Sequence, residues 1–205
     1  MTALGLVGLI YLAAWIVGLL IWPVNLATNA SGATVISTFT GHLGQATIQY
    51  LLTEGLAGIA LGIVLIAIGR ALASRATLIV GGLAALVSLV ETGIGLYLAD
   101  SLVPARDASS AHFFFGLLNQ LDGVKMLLLA GTAAVASIAA RGRRVLPAWL
   151  VYVGFALAVA MIVSGIGYVF DLSGLALAAA ASLPLLLIWI TGSALTLRRA
   201  PALRG

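Results

Sequence analysis

The stretch HFFFGLLNQLDGVKMLLLAGTAAVASIAA, residues 112–140, decides the fold. It carries two formal charges, Asp122 and Lys125, in an otherwise apolar or neutral run. As a helix rising 1.5 Å per residue it measures roughly 43 Å, longer than the ~30 Å hydrocarbon core of a bilayer. Outward from it lie five more runs of the same kind, at about 3–23, 46–69, 76–99, 148–170 and 174–197. The chain of 205 residues is 62% hydrophobic and 8% charged, with a mean hydropathy of +1.20. A soluble domain of this length cannot bury that much apolar surface, so most of the chain must be solvated by lipid. None of the runs shows the ~10-residue alternation of a barrel strand. The expected class is therefore an all-α integral membrane protein, a bundle of six transmembrane helices forming a single domain over residues 1–205.

The connections orient that bundle. Arg70 and Arg75 lie between helices 2 and 3, Arg141, Arg143 and Arg144 between 4 and 5, and Arg198, Arg199 and Arg204 follow helix 6. The opposite side has Arg106 alone, beside Asp100, Asp107 and Asp171. This asymmetry places both termini in the cytoplasm. Nine of the ten basic residues are arginine, the bias of a high-GC genome, and the expected location is a bacterial plasma membrane, crossed six times. The first run lacks a basic n-region and, from Ala3 to Val24, exceeds a signal-peptide core, so it is read as a retained anchor. With no cysteine, disulfides and thiolate sites are excluded. The +4 net charge falls in short clusters beside apolar runs, which is a membrane pattern and not a nucleic-acid surface.

Proline and glycine punctuate the runs. Pro23 closes helix 1, Pro104 is expected in the loop between helices 3 and 4, Pro147 opens helix 5, and Pro184 falls inside helix 6 where it can kink it. Trp22 and Trp149 take belt positions at the interface. Gly58 and Gly62 form a GxxxG step, and Gly93, Gly95, Gly165 and Gly167 also permit close helix approach. The polar segment from Asn25 to Gln45 is expected as an outer loop, or a short re-entrant or surface helix.

Four ionisable residues interrupt these runs: Glu54, Glu91, Asp122 and Lys125, the only lysine. Such residues within a membrane cost several kcal/mol each unless paired, hydrated or neutralised, and by default mark function. Glu54 stands about eight residues, roughly 12 Å, into a helix running inward. Glu91 stands about as far from the outer end of the next helix, and Asp122 about ten residues into the third. All three carboxylates therefore fall in the outer half of the bilayer. Fully ionised, the layer would hold three negative charges and one positive; desolvation and repulsion then favour at least one carboxyl that keeps a proton. Glu54, Glu91 and Asp122 are thus the candidate acid–base or proton-carrying residues. Lys125, three residues after Asp122, can pair with it. Lys125, Asn119, Tyr50, Gln49 and Tyr97 are the candidate ligand-binding residues.

His42, Gln45, Gln49 and Thr53 follow one stripe of helix 2, with Glu54 just off it. Ser164, Tyr168 and Asp171 form another on helix 5. His42 and His112 lie at the outer starts of helices 2 and 4 and are the only metal-ligand candidates of that type. They lack a ligand spacing, so no metal and no cofactor is expected. No phosphate loop or nucleophile elbow occurs. Against the functional reading stands interhelical glue, with Asp122–Lys125 a packing pair and Gln49, Asn119 and Gln120 bonding across helices. Trp189 and Tyr97 also suit core or lipid contacts.

Leu89-Val90-Glu91 and the run Arg144-Val145-Leu146-Pro147-Ala148-Trp149-Leu150 resemble segments of the bacterial multi-spanning proteins grouped as domain of unknown function 4386. Ala148 stands where that pattern has a second arginine. The resemblance implies a six-helix bacterial membrane protein with Glu91 at the family's acidic position, and it brings no activity with it. Three functions remain. The first is binding or transport of a small lipophilic or cationic molecule, with proton coupling and a homodimer expected for so small a transporter. The second is a membrane enzyme whose neutral carboxyl protonates an isoprenoid- or quinone-like substrate among Phe113–Phe115, Tyr50 and Tyr97. The third is a structural or partner-binding subunit.

Overall fold

The computed structural model describes residues 2–23 and 26–197. Arg198, Arg199 and Arg204, on which part of the orientation rests, lie outside the described residues, as do Val24 and Asn25. Seven helices and no strand occur among the described residues. They are α1 (Ala3–Ile21), α2 (Gly32–Phe39), α3 (Leu43–Ala71), α4 (Arg75–Ala105), α5 (Ala108–Arg143), α6 (Ala148–Val169) and α7 (Ser173–Thr196). All but α2 are long and apolar enough to cross a membrane. The expected six-helix all-α class is what the chain adopts.

Local chemistry explains where the helices begin and how two of them run on. The Ser74 hydroxyl accepts from the Thr77 amide at 3.2 Å, and the Asp107 carboxylate accepts from the Ser110 amide at 3.1 Å, so side chains satisfy first-turn donors. Ser110, through its side chain first and then its amide, also holds the Asp107 carboxyl below the ordinary aspartate range. Helix α4 was expected to stop near residue 99, with Pro104 in the following loop. It continues to Ala105, through a π-helical turn at Leu98–Leu102 in which the Val103 amide donates to the Leu98 carbonyl five residues back. Pro104 then sits at the start of a new helical register, where its missing N–H costs little. The Asn25–Gln45 segment, expected as an outer loop or a short re-entrant or surface helix, contains α2, a short helix that buries Val35 and Phe39.

Helix α5 is the hub, packing against α2, α4 and α6, while α1 lies against α3 and α7. Lipid tails give apolar side chains no reason to leave them, so the bundle is held by close backbone approach and polar contacts. The α5–α6 crossing brings backbone against backbone: a Cβ on Gly123 would lie 2.8 Å from the Gly165 carbonyl oxygen, and one on Gly165 would lie 3.0 Å from that of Gly123. Gly123→Ala should therefore cost roughly 1–3 kcal/mol, because backbone cannot yield as a side chain can. Detergent-solubilised protein melting at the parent temperature would rule this out. The GxxxG expectation holds as well, Gly58 meeting Ser88 and Gly62 meeting Ala85. Gly93 does not: open space surrounds it. Trp22 also departs from the belt reading, being buried edge-on to Phe39 and stacked on His42, because the 26–42 segment folds over it. Trp149 is exposed, as a belt residue would be.

Two apolar layers result. The larger runs from Tyr11 and Ala57 through Leu65 and Leu129 to Trp189. The smaller joins Trp22, Val35, Phe39, Leu98, Phe115 and Leu118 under α2. The charged residues lie between them.

Candidate functional site

The Lys125 ammonium is the centre of the site. Its Nζ lies 2.7 Å from Glu54 Oε2, 2.6 Å from Glu91 Oε2 and 2.9 Å from Asp122 Oδ1. An oxygen from each of the three carboxylates falls within 4.8 Å of the others. Three consecutive helices, α3, α4 and α5, thus deliver one acid each to one point, as the layer reading requires. Lysine and Glu91 are buried, Glu54 nearly so, and the Asp122 side chain keeps 29% of its exposure.

Glu54 reaches that point through a distortion of its helix. A π-helical turn spans Leu51–Leu56, with the Ala57 amide donating to the Leu52 carbonyl five residues back. Such turns insert a residue into the α register and occur often at functional sites. Regular α-spacing put Glu54 beside the polar stripe of α3; in the π turn its carboxylate meets Ser88 of α4 and Lys125 of α5. There it accepts 2.5 Å from the Ser88 hydroxyl, which Gly58 allows to come close. On α4, Gly95 leaves space for the Tyr50 ring, which a Cβ would meet at 2.4 Å.

A cavity of about 150 Å³ opens beside the cluster, lined by Tyr50, Glu54, Glu91, Phe115, Leu118, Asn119 and Asp122. Of the candidate ligand-binding residues, Tyr50 and Asn119 are there. Asn119 is also tied down, its amide donating 2.8 Å to the Phe115 carbonyl and 3.3 Å to that of Thr28. Gln49 and Tyr97 are not there. Gln49 donates to the Trp22 carbonyl at 2.9 Å and Gln45 to that of Ile21 at 3.4 Å. The α3 stripe therefore satisfies the carbonyls orphaned at the end of α1, which is the glue reading for those residues. Tyr97 is half exposed and packs edge-on to Phe114 at 5.2 Å. The histidines have separate partners: His42 stacks on Trp22, and His112 Nδ1 is 3.0 Å from the Ala30 carbonyl. Of the α6 stripe, Ser164 bonds back to its own helix and Asp171 takes a hydrogen bond from the Thr28 hydroxyl.

Two residues of the site escaped the sequence reading. Ser88 stands three before Glu91 on α4, on the same helical face, and that spacing was the available signal. Tyr11 is buried in the otherwise apolar α1, in the lining of a small void shared with Ser88 and Lys125. Nothing in its own helix announces it.

Donors and acceptors are unequal. A lysine ammonium has three N–H donors; Lys125 donates to Glu54 and Glu91 and forms an ion pair with Asp122, so one ammonium faces three carboxylates. Glu91 Oε1, buried, has no hydrogen-bond partner among the described residues. What the cluster can still offer a visitor is acceptor oxygen. Compared with protein-family models, with curated proteins and with solved structures, the chain finds no match.

Proposed function

We propose that the chain binds a small cation at the carboxylate–lysine cluster, in exchange for a proton, as a binding or transport protein of a bacterial plasma membrane with both termini inside. The observation that carries this reading is the excess of acceptors: Lys125 donates to Glu54 and Glu91 and pairs with Asp122, while the buried Glu91 Oε1 has no partner among the described residues and Glu91 lines the 150 Å³ cavity. An anionic ligand would meet three carboxylates around a single ammonium at that centre. A cation would find up to three carboxylates and a tyrosine ring, which adds cation–π attraction. The cavity beside the cluster favours a ligand over a purely structural subunit, whose polar groups would pair with one another and leave no such space. The resemblance to domain of unknown function 4386, with Glu91 at its acidic position, is compatible with this proposal and adds no ligand to it.

The test is a titration of the full chain in lipid nanodiscs with tetramethylammonium and with methylammonium, in weakly buffered solution containing a pH indicator. Saturable binding with release of protons is the expected result. Saturable binding without proton release would remove the exchange. No binding of either probe would remove the cation site, and leave the acids as helix glue or as an acid catalyst for a neutral substrate.

A further inference from the structure

Beyond the polar cavity lies a second one, and Asp122 belongs to the wall of both. This larger cavity, about 320 Å³, is walled by Trp15, Leu19, Met126, Met161 and Leu183, with Asp122 and Lys125 on its inner side. Its position follows from how α1 meets α7. Near one end the two helices touch: the Thr191 hydroxyl donates to the Gly8 carbonyl at 3.1 Å, and a Cβ on Gly8 would lie 2.6 Å from that of Ala194. Toward the other end Leu19 of α1 and Ala179, Ala180, Ser182 and Leu183 of α7 line the cavity instead of closing on each other. Leu19 and Ala180 are exposed on the outside of the bundle, on helices apolar enough to cross a membrane, so the space opens toward that outer face. It is mostly apolar, with Tyr168 and Ser182 also in its wall, and it carries the Asp122–Lys125 pair at its inner side.

We infer that this cavity takes the apolar body of a cationic amphiphile, an alkyl- or arylalkyl-ammonium, which enters from the bilayer between α1 and α7 and sets its ammonium against Asp122. This rests on the cation reading above and names the ligand class for it. Three observations point the same way. Apart from Tyr168 and Ser182 the wall beyond the charged pair is of aromatic, thioether and aliphatic groups, which suit a hydrocarbon of variable shape. Asp122 is the most exposed of the three acids, and its bond to Lys125 uses Oδ1. The lysine on the same wall is already held by three carboxylates, so the wall presents acceptors to an incoming head group. A fatty acid or alkyl sulfonate would fit the apolar part and meet the wrong charge.

The experiment compares four probes on the full chain in nanodiscs, corrected against empty nanodiscs: hexyltrimethylammonium, tetramethylammonium, hexanesulfonate and hexanol. Each methylene moved out of water is worth roughly fourfold in affinity. Hexyltrimethylammonium is therefore expected to bind at least tenfold tighter than tetramethylammonium, with hexanesulfonate and hexanol not saturating. Ala179→Phe, which fills the cavity from its rim, should bring hexyltrimethylammonium down to the level of tetramethylammonium and leave the latter unchanged. As a check that needs no rim variant, 6-bromohexyltrimethylammonium should quench tryptophan fluorescence in the parent and much less in Trp15→Phe. Equal affinity for the two ammonium ions, or equal binding of hexanesulfonate, overturns the amphiphile site while the small-cation reading stands. So does quenching that Trp15→Phe does not reduce. Failure of every ammonium probe in the parent instead overturns the cation reading on which this inference rests.

Discussion

Lys125→Met should be the most damaging single substitution in this chain, lowering stability by about 3–5 kcal/mol. Methionine matches the lysine stem in shape, so the loss isolates the ammonium. Without it, three acids whose oxygens lie within 4.8 Å of one another remain in a site that buries Glu91 and most of Glu54 and is flanked by two apolar layers. They must then take up protons, admit water or move apart, and each response opposes the packing of α3, α4 and α5. Adding Glu54→Gln and Glu91→Gln to Lys125→Met should recover most of the loss, because the triple variant leaves only Asp122, the most exposed of the three acids, without its ammonium. The check is thermal unfolding in detergent of the parent, the single and the triple variants. If Lys125→Met melts with the parent, the ammonium does not organise the cluster. If the triple variant melts with the single one, the cause is lost packing and not uncompensated charge.

Glu91→Gln has the opposite profile, with little change in stability and a large change in binding. The amide keeps the shape of the side chain and can still present its carbonyl to Lys125. Its NH2, however, takes the place of the acceptor Oε1, which has no partner among the described residues. A cation there meets a donor instead of an acceptor, so affinity for tetramethylammonium should fall at least tenfold, about 1.4 kcal/mol. Stability should stay within about 1 kcal/mol, a range typical of substitutions that create neither a cavity nor a buried unpaired charge. Glu54→Gln should also be structurally mild and weaken binding, but its Oε2 is already shared by Ser88 and Lys125, so the effect is expected to be smaller. Full affinity in Glu91→Gln would place the acceptor elsewhere in the cluster.

Much of the architecture was legible from residue order alone because lipid leaves so few solutions. Every spanning segment must satisfy its own backbone, which requires helices, and the bilayer sets their minimum length. The six runs therefore differ from the observed helices chiefly at their ends, as with α4, which carries on through Pro104. Depth was legible too. Glu54, Glu91 and Asp122 fell at one level by counting residues along antiparallel helices, and that level is where they meet.

Which polar residues face the cluster was not legible in the same way. Gln49 and Tyr50 are neighbours in sequence; one caps the end of α1 and the other lines the cavity. Asn119 and Tyr97 had equal standing as ligand contacts, yet only Asn119 reaches the site.

The sequence by itself determined the class, the number of crossings and the shared depth of the charges, since each follows from hydropathy, length and a fixed rise per residue. Only the tertiary structure decided that Lys125 belongs to three acids instead of to Asp122 alone, that Ser88 and Tyr11 join them, and that two cavities share Asp122. The reason is rotational. Depth accumulates residue by residue along a helix, but azimuth depends on which neighbour each face packs against and on single-residue insertions such as the π turn at Leu51–Leu56. Those are settled by contacts such as Gly58 on Ser88 and Gly123 on Gly165, between residues far apart in the chain.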